Sequence, residues 1–239
     1  MILISVAGAV IPAVLLLIHF YRMDRLRPEP KGLILKIFFL GIAFTFLALG
    51  MESDVANLEA RLPDGVLWNA AFHAYLASAF IEETLKLLVV WLFVYRTVHF
   101  DEATDGIIYT ITAGLGFACL ENILYVLNGG ISLAVARAIS AVPLHALASG
   151  LMGYYIGRAK FASHRISKIL LFIVGLTVAV LIHGTYNFLI FALSPINPLY
   201  VFLVFPYLFV FYGLLKKQFS TALAGDILFR RAIDDSEWG

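Results

Sequence analysis

The sequence predicts an all-α protein, a polytopic bundle of about seven membrane-spanning helices with its N-terminus outside and its C-terminus in the cytoplasm. Four observations carry this. Of 239 residues, 62% are hydrophobic and only 14% charged, with a mean hydropathy of +0.92, whereas a soluble domain carries about 25% charged residues. The apolar residues fall in runs of the length that crosses a bilayer, about 20 residues. The alternating segments of about 10 residues that a β-barrel uses are absent. Lys and Arg, finally, gather in alternate loops.

Taken in order, the segments are 2–20, 33–51, 66–95, 107–127, 131–157, 169–193 and 199–215, followed by a tail over 216–239. They form one integral-membrane domain over 1–239, with no repeat and no Gly/Ser linker. The first lacks a positive leading region and a small-residue cleavage site, so it reads as an uncleaved span rather than a signal peptide. The third exceeds one crossing and is expected to tilt, to break, or to begin as an interfacial helix around Trp68. The fifth is also long, and Pro143 predicts a kink within it. Arg22, Arg25, Arg27, Lys31, Arg96, Arg158, Lys160, Arg165, Lys168, Lys216, Lys217, Arg230 and Arg231 share one side, and only Arg61 lies in an opposite loop. The positive-inside rule makes that side cytoplasmic. A net charge of +1 points away from nucleic acid. Cys119 is the single cysteine, with no intrachain partner.

Ionisable groups inside the apolar runs carry the functional signal, because burying them is expensive unless they pair or line a wet cavity. They are Glu82, Glu83, Glu121, Lys36, Lys86, Arg137, His19, His73, His145 and His183. At 1.5 Å rise per residue, Glu83 lies about 20 Å from Arg96, Glu121 about 24 Å from Asp105, His145 about 20 Å from Arg158 and His183 about 22 Å from Lys168. Four consecutive spans thus place a titratable group in one layer. His19 and Lys36 sit near span ends, where snorkelling suffices. His73 falls near the outer surface and Arg137 in the outer half of its span; both read as structural.

Helical spacing sharpens the layer. Glu82 and Glu83 both reach Lys86, at i+4 and i+3, so Lys86 orients one carboxylate and leaves the other as a base. His183 and Asn187 share a face one turn apart and suit an oxyanion. Phe117, Glu121 and Tyr125 form one stripe, and Gly114, Gly116, Gly150 and Gly153 allow close helix approach. Two chemistries fit. Glu121, His145 and His183 form a His₂Glu set suited to zinc, with Glu82 or Glu83 as base. Alternatively a glutamate activates water without metal, and His183 and Asn187 hold the oxyanion. A proton-coupled transporter or a non-catalytic scaffold are the competing readings.

Several stretches resemble one family. EETLK at Glu82–Lys86 matches the EExxK signature of the PrsW intramembrane proteases. FACLEN at Phe117–Asn122 is similar to its FxxxEN motif, His145 with Gly153 to its third motif, and HGTYN at His183–Asn187 to its fourth. YRMDRLRPEP at Tyr21–Pro30 resembles its N-terminal loop. The resemblance runs from about Tyr21 to Phe188. It extends to CAAX-prenyl endoproteases and bacteriocin-processing enzymes, which carry EExxxR, FxxxH and HxxxN. Here Lys86 stands for the Arg, one position earlier, and Glu121 stands where those relatives have His. The resemblance implies Glu82 or Glu83 as base, His183 and Asn187 on the oxyanion, and Lys86 and Asn122 in support. It also implies a cell-membrane enzyme making the first, extracytoplasmic-side cut in a single-span anti-sigma factor.

Overall fold

The computed structural model describes residues 2–24, 26–59, 65–194 and 196–237; Arg25 and Arg61 lie outside them. Among these residues every regular element is helical. α1 (Ile2–Tyr21) leads into a loop stiffened by Pro28 and Pro30, where the Tyr21 hydroxyl donates to the Glu29 carbonyl at 2.9 Å. The Pro30 carbonyl then accepts from Leu33 and Ile34 and starts α2 (Lys31–Glu59). α2 continues beyond the end of its apolar run at Met51, so Glu52 is helical.

The third segment is one continuous rod. α3 (Val66–Phe72) passes into a π-helical stretch, His73–Phe80, and on into α4 (Ile81–Phe93). A π turn holds an extra residue and re-aims the side chains after it; such stretches concentrate at functional sites. Here the re-aimed residues are Glu82 and Glu83. Trp68 is exposed near the start of the rod.

α5 (Ala103–Ile139) opens on a capping box in which Asp105 Oδ2 accepts from the amides of Asp101 and Glu102, at 2.8 and 2.7 Å. It breaks at Gly130, whose φ of 73° is the left-handed region open to glycine. A short helix, 131–139, follows, and a second break at Ser140 (φ −126°, ψ −70°) starts α6 (Ala141–Phe161). The expected 131–157 span is therefore two helices, and its bend lies at Ser140, not Pro143. Pro143 falls in the first turn of α6, where a missing amide disrupts no helical hydrogen bond. α7 (Arg165–Phe188) ends in a π turn, Leu189–Leu193. A 3₁₀ stretch, Pro198–Leu203, is capped by Asn197 and precedes α8 (Val204–Glu237), which runs unbroken past Lys217 into the expected tail.

Among the described residues, five helical stretches are long and apolar enough to cross a membrane: Lys31–Val55, Ala103–Leu127, Gly129–Phe161 (bent at Ser140), Arg165–Leu193 and Pro198–Ala232; Val6–Tyr21 is a shorter apolar helix. The core sits on α5, 78% buried along its apolar window, against 22% for the α7 window and 17% for that of α8. The outer helices accordingly show Phe39, Leu92, Ile173 and Phe209 outward, as lipid contact requires. Small residues let the central helices touch. A Cβ on Gly153 would strike Thr110 and the Gly106 carbonyl of α5, and one on Gly116 the Phe38 carbonyl of α2.

Candidate active site

A cavity of about 380 Å³ opens between α2, the π stretch, α5, α6 and α7. Glu82, Glu121, His145, His183 and Asn187 all line it. Glu83 and Lys86 lie behind it, fully buried.

Lys86 is the hub. Its ammonium donates to Glu82 Oε2 at 3.1 Å, to Glu83 Oε1 at 2.7 Å and to His145 Nδ1 at 2.8 Å, with the Phe117 ring 5.0 Å away. The sequence reading gave Lys86 one carboxylate; here it holds both. An ammonium has only donors, so His145 Nδ1 accepts and the ring proton sits on Nε2. That nitrogen lies 3.3 Å from Glu121 Oε2.

His183 has the opposite tautomer. Its Nδ1 donates to Glu83 Oε1 at 2.8 Å, which leaves the Nε2 lone pair turned toward Glu82 Oε1, 3.9 Å off. The two imidazoles stand edge to face with centroids 4.9 Å apart. Around Glu82 the shell is complete: Ser78 Oγ donates to Oε1 at 3.0 Å, and Asn187 Nδ2 donates to Ser78 Oγ at 3.0 Å. Gly184 of α7 is needed for this approach, because a Cβ there would fall on the Tyr75 ring. Tyr75 also bonds Thr185 at 2.9 Å.

Glu121, besides lying against His145, has a partner that the sequence did not point to. Arg137, from the short helix after Gly130, donates to its Oε2 at 3.0 Å and lies 3.9 Å over the Tyr125 ring. Arg137 thus faces the cavity. The trio whose ligand atoms lie within 4.8 Å of one another is Glu82, His145 and His183, all buried. Asn122 stands away from the cavity; its amide donates to the Ala9 carbonyl at 3.0 Å and ties α5 to α1. Glu52, Ser78 and Tyr186 line the site without having been read from the sequence. Glu52 follows its apolar run by one residue, and Ser78 stands four before Glu82; those were the available signals.

The profile of the PrsW family of intramembrane metalloproteases matches residues 29–213. The chain belongs to this family. The Protease PrsW of Bacillus subtilis (strain 168) is 35% identical over 213 residues, covering 89% of this chain and 94% of the relative. That of Geobacillus kaustophilus (strain HTA426) is 37% identical over 187 residues, covering 78% and 80%. That of Clostridioides difficile (strain 630) is 26% identical over 186 residues, covering 76% and 77%. No solved structure gives a significant match. The chain is therefore an intramembrane protease, a peptide-bond hydrolase, and a multi-pass protein of the cell membrane.

A metalloprotease family raises the question of fit. Glu82, His145 and His183 supply the mixed N/O donors that zinc takes in open catalytic sites. His183 fits directly, since Glu83 holds its Nδ1 proton as an outer carboxylate does for metal-bound histidines. His145 fits less directly, because Lys86 already donates to its Nδ1.

Proposed function

We propose that this chain cuts a single-span membrane protein of the anti-sigma-factor class, using zinc held by Glu82, His145 and His183. The observation that carries the reading is the convergence of those three buried groups on one cavity between the helices, each with a partner that orients it. Zinc there would polarise the scissile carbonyl and acidify water. The residues do the rest. Glu121 lines the same cavity, is held by Arg137, and takes the proton of the attacking water before returning it to the leaving amine. Asn187 donates its amide to the developing oxyanion. Ser78 and Lys86 hold Glu82, and Glu83 fixes the His183 tautomer. The whole chain works as one membrane domain of seven spans, α1 and the Val66–Phe93 rod completing the set. The Lys and Arg loops face the cytoplasm and the N-terminus lies outside.

One contact favours a second reading without metal. With Lys86 on His145 Nδ1, His145 offers Glu121 a proton and no lone pair. Glu82 then activates water, and Asn187 donates to the oxyanion beside His183. Co-reconstitution with a tagged single-span substrate tests both readings for proteolysis at this cavity. Glu82→Gln and His183→Ala are expected to insert normally and lose the cut. Full cleavage by both variants would place the chemistry elsewhere.

A further inference from the structure

A second cluster of ligands lies at the other end of α5. Asp105 stands 16 residues before Glu121, about 24 Å along the helix. Around it gather Asp24 and Glu29 from the loop between α1 and α2. One carboxylate oxygen from each of Asp24, Glu29 and Asp105 lies within 4.8 Å of the others, and all three residues are buried. Proteolysis at the cavity gives this cluster no role.

Its electrostatics are incomplete. Glu29 Oε2 accepts from the Tyr109 hydroxyl, and Asp105 Oδ2 accepts the two capping amides. Among the described residues, neither oxygen of Asp24, which is 3% exposed, nor Oδ1 of Asp105 meets a hydrogen-bond partner at full geometry, although the backbone amides of Leu26 and Arg27 lie beside Asp24. Among the described residues the nearby cations are engaged elsewhere: Arg27 pairs with Asp101 and Arg230 with Glu102. Asp226 adds further negative charge while accepting from Ala103 and Thr104. Three buried carboxylates in contact call for a compensating positive charge.

We propose that Asp24, Glu29 and Asp105 bind a hard divalent cation, Mg²⁺ or Ca²⁺. All three donors are carboxylate oxygens, the ligand type that hard divalent cations take. Asp24 supplies a buried carboxylate oxygen within 4.8 Å of the other two donors. The cation staples the α1–α2 loop to the first turn of α5, the helix that carries Glu121 about 24 Å further along.

The test uses the full chain in detergent, stripped by chelation and then titrated with MgCl₂ or CaCl₂ while thermal unfolding and binding heat are followed. Wild type is expected to bind one ion per chain and to gain about 5 °C in Tm at a hundredfold excess over Kd. Asp24→Asn removes a buried charge, is expected to match or exceed wild type in chelator, and loses the ion-dependent gain. Glu82→Gln keeps that gain, which separates this site from the cavity. Absence of saturable binding by wild type at millimolar ion would overturn the proposal, as would an equal gain in Asp24→Asn. If Asp24→Asn fails to fold, the wild-type titration alone decides.

Discussion

Glu83→Gln separates the roles of two adjacent carboxylates. Glu83 is fully buried, and its Oε1 alone accepts from both Lys86 (2.7 Å) and His183 (2.8 Å). A glutamine keeps an oxygen at that position, so both contacts survive as bonds to a neutral acceptor. Charge-assisted bonds are stronger than neutral ones by about 1 kcal/mol each, giving about 2 kcal/mol for the pair. The new amide nitrogen takes the place of Oε2, which is buried without a partner, and adds about 1 kcal/mol for an unmet donor. Lys86 keeps Glu82 as its counter-ion. The expected outcome is a folded protein destabilised by about 3 kcal/mol, with cleavage slowed about ten- to a hundredfold, the range for outer-shell partners of metal ligands. Glu83→Ala leaves the Lys86 charge half-compensated and is expected to lose about 3–5 kcal/mol. The assay is cleavage of a single-span substrate in vesicles beside thermal unfolding, with Glu82→Gln as the inactive reference. If Glu83→Gln were as inactive as Glu82→Gln yet as stable as wild type, Glu83 would touch the reacting atoms and the division of roles would fail.

Three further outcomes follow from contacts around the cavity. Gly184→Ala places a methyl on the Tyr75 ring; it is expected to lower stability by about 1–3 kcal/mol, and an unchanged melting temperature would contradict the packing. Arg137→Met strips Glu121 of its partner, so a double-mutant cycle of Arg137→Met with Glu121→Gln is expected to show coupling of about 1 kcal/mol or more; zero coupling would mean the pair does not form. Ser78→Ala removes the donor to Glu82 and the acceptor for Asn187. It is expected to slow cleavage about tenfold through kcat with little change in KM; an effect on KM alone would assign Ser78 to substrate binding.

The helices were legible because lipid imposes long apolar runs; those runs bound α1 and α7 to within about five residues, whereas α2 and α5 continue past the ends of theirs. Breaks were less legible. Pro143 was the visible helix breaker, yet it sits harmlessly in the first turn of α6, while Ser140 and Gly130 carry the bends. The π stretch before Glu82 has no sequence signature beyond an overlong segment. Counting 1.5 Å per residue placed Glu83, Glu121, His145 and His183 at one depth but gave no rotation about each helix axis. Depth alone could therefore not show that Glu82 groups with the histidines while Glu121 turns to Arg137. The glutamate–lysine spacing was readable, since i+3 and i+4 are fixed by the helix itself. The reach of Lys86 to His145, 59 residues away, was not.

The metal centre is most directly tested by zinc content and peptidase activity on one purified sample, before and after chelation, beside Glu82→Gln and His183→Ala. The account predicts one zinc per wild-type chain, lost together with activity on chelation and restored with it on zinc addition. It also predicts much-reduced zinc in both variants. Full activity in metal-free wild type, or stoichiometric zinc retained in both variants, would contradict it.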